Sequence, residues 1–196
     1  MKKICLISLV AALLFSCAKA PDMERTIFIP DEEDATLPAY TEWGYNSFGA
    51  DYERDYFLVS NAIIPCRITY KDGQLHFLLS GKTHKEKKEM SLMFIFPWSE
   101  MRDFKDLVQL NDVKIDLFDS TCTVIMSKDS SEKVLNIVDG ELHFKRTQLL
   151  SIDDQLNRVI LSGTFDLRFL EGVFPTYISD GRFDLGITKN YFYWHK

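Results

Sequence analysis

The chain lacks the signatures that most enzymes and metal proteins carry. No Gly-x-Ser-x-Gly elbow, phosphate loop or dinucleotide fingerprint occurs in its 196 residues. The four histidines are His76, His84, His143 and His195. None lies two or four residues from another, so no strand or helix presents a histidine pair to zinc, and neither a metal nor a cofactor is expected. Positive charge is scarce: 23 Lys and Arg stand against 29 Asp and Glu, a net charge of −6. That balance argues against sequence-independent binding of nucleic acid, which needs clustered cations to neutralise phosphates. A long apolar run is also missing. Ile4–Phe15 is too short for a spanning helix, which needs roughly 20 apolar residues, and polar Lys19, Asp22, Glu24 and Arg25 soon follow it.

What stands at the start is an export signal. Lys2 and Lys3 form a positive head, Ile4–Phe15 is almost wholly apolar, and Leu14-Phe15-Ser16-Cys17 closes the segment. This ending resembles the lipobox of bacterial lipoproteins. The resemblance implies removal of residues 1–16, a diacylglyceryl thioether on Cys17 and an acylated amine. An ordinary secretory cut near Ala18 or Ala20 is the alternative. Several acyl chains matter because burial contributes roughly 0.8 kcal/mol per CH₂ and one chain anchors only marginally. The expected location is the cell envelope, lipid-anchored in the outer membrane on its surface or periplasmic face. The bilayer is the expected partner, through acylated Cys17. The part beyond residue 16 carries 21 basic and 29 acidic residues, a net charge of −8.

Beyond the signal, residues 17–39 read as a lipidated, flexible acidic tether. They contain the cluster Asp31-Glu32-Glu33-Asp34, which lacks the alternating ligands and glycine of a calcium loop. Residues 40–196 then form one domain, whose 46% hydrophobic content and 15 phenylalanines (both counted over the whole chain) exclude wholesale disorder. Its period is two. Cys66, Ile68 and Tyr70 share one face, Asp72-Gly73 signals a tight hairpin, and Leu75, Phe77 and Leu79 return. Met90–Phe96 is nearly continuous and suits a strand covered on both sides. Asp139-Gly140-Glu141-Leu142-His143-Phe144 echoes Asp72-Gly73-Gln74-Leu75-His76-Phe77 and predicts a second hairpin turn. Along Arg158–Phe169 one face is apolar and the other polar, with Ile160 the single exception. Gly163 marks a bend, Asp180-Gly181 begins a further strand, and Tyr191–Trp194 forms a final aromatic one. One short helix is expected near 99–109, capped by Ser99. The fold class is therefore all-β, a single antiparallel domain of roughly nine or ten strands, as a sandwich or an up-and-down, lipocalin-like barrel. Cys66 and Cys122 are the two cysteines left in this domain. Export permits a disulfide between them, the alternative being two separate buried thiols.

Three motifs occur together: Gly44-Tyr45-Asn46-Ser47-Phe48-Gly49, Ser162-Gly163-Thr164-Phe165 and Asp180-Gly181-Arg182-Phe183-Asp184. The combination resembles a group of uncharacterised Bacteroidota-type envelope lipoproteins, over about Gly44 to Ile187. The resemblance implies an envelope location and a β fold, and it carries no catalytic residues. Asp119-Ser120-Thr121 resembles an envelope O-glycosylation site, which would modify Ser120. An ordinary turn explains the same tripeptide.

Carboxylates and aromatics complete the inventory. Asp166, Glu171, Asp180 and Asp184 are recruitable as a hydrolytic pair, but with 29 acids some nearby pair is inevitable. Trp43 and Tyr45 early in the domain, and Tyr191, Tyr193 and Trp194 late, are the candidate ligand-contact residues, because exposed aromatic rings stack on sugars and anchor interfaces. The leading expectation is a non-catalytic binding or accessory module for a glycan or an envelope protein. A lipocalin-like carrier of a small apolar ligand comes second, predicting an apolar cavity where the binding module predicts a filled core. A carboxylate hydrolase comes third.

Overall fold

The structure, a computed structural model, describes residues 25–60, 65–152 and 155–195. The expected signal segment and Cys17 lie outside the described residues. Twelve strands follow one another: β1 Ser47–Tyr52, β2 Asp55–Val59, β3 Cys66–Lys71, β4 Gln74–Thr83, β5 Glu89–Pro97, β6 Val113–Asp116, β7 Thr123–Lys128, β8 Ser131–Val134, β9 Asn136–Ile152, β10 Gln155–Glu171, β11 Phe174–Ile187 and β12 Phe192–Trp194. They form one sheet with the path β6-β9-β10-β11-β1-β2-β4-β5-β7-β8, and β3 lies between β4 and β12. All pairs are antiparallel except β12 on β3. The fold is all-β, with more strands than the periodicity suggested. The added ones are β1 and β2, an antiparallel pair ahead of Cys66, whereas β12 falls where the final aromatic strand is expected.

The sheet curls until its inner face meets itself. Phe77 on β4 packs against Phe144 on β9 and Phe183 on β11, with ring centroids 5.4 and 5.2 Å away. Phe94 on β5 meets Phe165 on β10 at 5.6 Å. These strands are remote from one another along the sheet, so only curling brings the rings together. The interior is filled by phenylalanines with almost no exposure, each contributing on the order of 2 kcal/mol of burial.

Alternation explains most strands. On β5, Met90, Leu92, Phe94 and Phe96 point inward, while Ser91, Met93 and Ile95 are half-buried outside. That strand is covered on one side rather than two. The Asp72-Gly73 hairpin forms as expected: φ is 51° and 77°, and Lys71 pairs with Gln74. The second Asp-Gly does not turn. Asp139 and Gly140 sit inside β9, opposite Arg168 and Leu167 of β10. Gly140 takes φ of 148°, and a Cβ there would lie 2.6 Å from the Asp166 carbonyl oxygen. The 17-residue β10 offers β9 a continuous ladder, and that tertiary partner overrides the local turn chemistry. Asp180-Gly181 likewise interrupts β11 rather than starting it. Asp180 has φ of 51°, and the pairing with both β1 and β10 shifts register at this point, which makes a β-bulge.

The helix is a 3₁₀ helix, Phe104–Leu110. Its cap is Asp103, whose carboxylate accepts from Lys105 N, while the Asp106 carboxylate accepts from Asp103 N. Ser99 is not the cap. Asn111 Oδ1 accepts from Thr147 N at 3.0 Å and Thr147 Oγ1 donates to the Val108 carbonyl. The helix thereby covers the edge of β9 beyond β6.

Two expectations are corrected. Cys66 and Cys122 are free thiols, Cys66 buried and Cys122 half-buried. Cys66 lies opposite Leu79, which pairs with Leu92, whereas Cys122 directly precedes Thr123, which pairs with Ile95. Three residues along a strand span about 10 Å, beyond the reach of a disulfide. Burial raises both thiol pKa values. The expected tether 17–39 is also not loose throughout. Residues 27–39 fold back as a strap: Ile27 N donates to Tyr45 O at 2.8 Å, Ala39 N to Ile29 O at 2.7 Å and Asp31 N to Leu37 O at 3.0 Å. The two aspartates of the acidic cluster are spent on local turns, on Arg182 NH1, 2.7 Å from Asp31 Oδ2, and on Tyr56 OH, which donates to Asp34 at 2.9 Å.

Candidate functional site

The strap runs over β2, β1 and β11, and its continuation, residues 40–46, crosses the outer face of β11, β10 and β9, which explains the polar residues found buried there. Ser162 and Asp184 belong to the outward rows of their strands, yet they are 0% and 1% exposed. The Asp184 carboxylate accepts from Thr41 Oγ1 at 2.5 Å, Ser162 Oγ at 2.8 Å and the backbone N–H groups of Trp43, Gly44 and Tyr45 at 3.1, 2.7 and 3.2 Å. Five donors on one carboxylate make a clamp, because a buried anion is tolerated only when it is fully hydrogen-bonded. Asn46 Oδ1 accepts from Gly186 N at 2.9 Å. Ile160, the apolar exception on its face, is buried beneath Gly44. Arg158 is 5% exposed and lies over Gly186, where an added Cβ would come within 2.6 Å of its guanidinium. All three sequence motifs thus converge on one structural device, and Asp184 acts there as a clamp.

The clamp presents a cleft of about 550 Å³ lined by Tyr40, Thr41, Glu42, Trp43, Arg146 and Gln148. Trp43 is 70% exposed although its own N–H is held by Asp184. Around it, Gln148 Nε2 donates to Glu42 O at 3.2 Å and Arg146 NH1 lies 3.4 Å from Glu42 Oε2. Tyr40 OH donates to Glu42 Oε1 at 3.0 Å, and Lys145 Nζ sits 5.0 Å from the Tyr40 ring centre. Burial, followed by the Glu42 hydrogen bond, pushes the Tyr40 phenol well above its usual range. Tyr40 is therefore a neutral donor at any physiological pH.

A second cleft, of about 600 Å³, opens at the end of the curled sheet. It is lined by Arg102, Lys105, Asn157, Lys189 and Trp194 among others. The two clefts share no lining residue, so the structure does not unite the early and late aromatics. Trp43 stands in the first and Trp194 in the second. Tyr45 is half-buried on the strap's continuation, Tyr193 is exposed beneath Arg67 at 5.3 Å, and Tyr191 packs against the core.

Ser120 is exposed in a tight turn in which Asp119 accepts from Thr121 N and Oγ1. His143 points outward to Asp112 at 3.0 Å. Among the described residues no three His, Cys, Asp or Glu side chains converge as a metal site. The Asp51 and Asp166 carboxyls are both raised, first by burial and then by neighbouring acids, Asp180 next for Asp51 and Glu141 next for Asp166. Asp166 faces Glu141 across the ladder, and Arg168 instead approaches Asp139 at 3.8 Å. Neither raised carboxyl lines the two clefts described.

Comparison with known proteins found no matching family model, no matching curated protein and no matching solved structure.

Sequence reasoning missed Glu42, Arg146 and Gln148 and the role of Asp184. One signal did point there. Ile160, an apolar residue on a polar face, marked a place where something covers the outside of the sheet.

Proposed function

We propose that the protein is a lipid-anchored envelope module that binds a glycan without acting on it chemically. The observation that carries this is Trp43, a bare indole on a backbone immobilised by the buried Asp184. An aromatic ring held in place in advance loses little freedom on binding, and it offers a flat apolar face to a sugar ring. Arg146, Gln148 and Glu42 bring donors and acceptors to the same cleft, the pairing of apolar wall and oriented polar groups that small polar ligands need. The phenylalanine-filled interior speaks against the carrier alternative, and the raised carboxyls Asp51 and Asp166, with their acidic neighbours Asp180 and Glu141, line neither cleft. The lipobox at Cys17 supports the anchored, envelope location.

The test is titration of envelope glycans against the full chain, followed by tryptophan fluorescence. Trp43→Ala is expected to weaken binding by about tenfold, equivalent to roughly 1.4 kcal/mol, with an unchanged melting temperature. Trp194→Ala should leave the affinity as it is. Equal affinity of the Trp43→Ala variant would overturn the proposal and turn attention to a protein partner.

A further inference from the structure

The second cleft and the course of the strap bear on how the domain sits on a membrane. At Asp31 the strap meets Arg182, at Ala39 it pairs with Ile29, and at Ile27 it has reached Tyr45, beside Gly44 and Gly186. From Asp31 back to Ile27 the chain therefore climbs β11 toward Thr188. Arg25 heads for the end of the sheet that carries the Lys189-Asn190 turn, β12 and the loop before the 3₁₀ helix. Cys17 precedes Arg25 by eight residues, a span of at most about 28 Å. A lipid there can hold this end of the domain, rather than the Gly172 end, close to the bilayer.

The same end carries chemistry suited to a headgroup layer. Arg102, Lys105 and Lys189 line one cleft with Trp194, which is 43% exposed. The carboxylates beside these cations are engaged. Glu100 forms a two-point bond with Arg102, and Asp103 caps the helix by accepting from Lys105 N. Among the described residues neither Lys105 nor Lys189 is paired with a carboxylate. Asp103 and Asp106 offset the overall charge of this end but accept from backbone N–H groups, which leaves the Lys105 and Lys189 ammonium groups beside an exposed indole without a carboxylate of their own. Lysine pairs with lipid phosphate, and Trp prefers the boundary between headgroups and acyl chains.

We infer that this cleft is a membrane-facing site that takes the phosphate-bearing headgroup of an anionic lipid. It orients the domain so that the Trp43 cleft stands at the side and the Gly172 end points away from the bilayer. The inference rests on the lipid-anchored reading of Cys17 and adds a second, protein-borne contact to it.

The test uses the lipidated full chain, reconstituted into vesicles of phosphatidylcholine with and without phosphatidylglycerol, with a nitroxide on the headgroup to quench tryptophan. In the anionic vesicles, quenching should fall when Trp194→Phe removes its reporter, and raised salt should weaken it. Lys189→Ala and Lys105→Ala are both exposed changes that spare the core, and each should cost about fivefold in the fraction of chains in headgroup contact. Quenching that is insensitive to Trp194→Phe, or equal in purely zwitterionic vesicles, would overturn the inference while leaving anchoring intact. Failure of the anchored reading looks different: on purely zwitterionic vesicles, which the cleft should not hold, the Cys17→Ala chain would float as well as the wild type does.

Discussion

The two outer faces of the curled sheet are built from the same alternating grammar and end in opposite states. On β4 and β5, outward residues such as His76, Leu78, Ser91 and Ile95 remain half-buried. On β10 and β11, outward Ile160, Ser162 and Asp184 are buried under the strap's continuation, at 3%, 0% and 1% exposure. The difference comes from elsewhere in the chain: twenty residues ahead of β1 lie across one face only. A covered outer face turns polar surface positions into a hydrogen-bonded clamp. The clamp in turn holds Trp43 out toward solvent.

The largest break in this comparison is Asp184→Ala. It orphans several buried donors together, and each unsatisfied group costs about 1–3 kcal/mol. A loss of at least about 3 kcal/mol in denaturant unfolding is expected, whereas Ser91→Ala on the open face should stay within about 0.5 kcal/mol. If the two variants match, the strap contributes nothing to the fold.

Ile160→Ala and Ile95→Ala sharpen the contrast with one chemistry at two places. The covered position should lose about 2–4 kcal/mol through the cavity it leaves. The half-covered one should lose about 1 kcal/mol, in proportion to the smaller area it takes from water. Thermal unfolding of the two variants measures the gap.

The smallest effect concerns the strap's acidic turn. Backbone donors, from Glu33 and Asp34 for Asp31 and from Thr36 for Asp34, hold these carboxyls below the usual aspartate range, and Arg182 and Tyr56 add to it. A depressed carboxyl stabilises the folded form above its unfolded pKa, near 4, and that contribution disappears as pH falls through the lower folded value. The strap should therefore loosen in acid, below about pH 4, before the curled sheet unfolds. Protease cleavage near exposed Phe28, followed against pH, should rise there in the wild type. With Asp31→Asn and Asp34→Asn together, that acid-induced rise should be lost.

How much was legible differs element by element. The β3 and β4 alternation and the Asp72-Gly73 turn were readable, because a side-chain period of two and a need for positive φ are local properties, whereas the apolar outward residues Met93 and Ile95 hid the alternation of β5. The same dipeptide at Asp139-Gly140 misled, since a long neighbouring strand held the backbone extended through it. Trp43 was readable as a candidate contact residue, but the cleft around it was not. Its neighbours Arg146 and Gln148 lie about a hundred residues away in sequence and become neighbours only across the strap.

The sequence by itself determined the β class and the phenylalanine core, because each depends on composition or on periodicity along a short stretch. Only the tertiary structure decided which outer face is covered, that Asp184 clamps a loop rather than attacking a bond, and that Cys66 and Cys122 stay apart. Those outcomes depend on which distant segments the curl of the sheet brings together, and no local pattern encodes that curl.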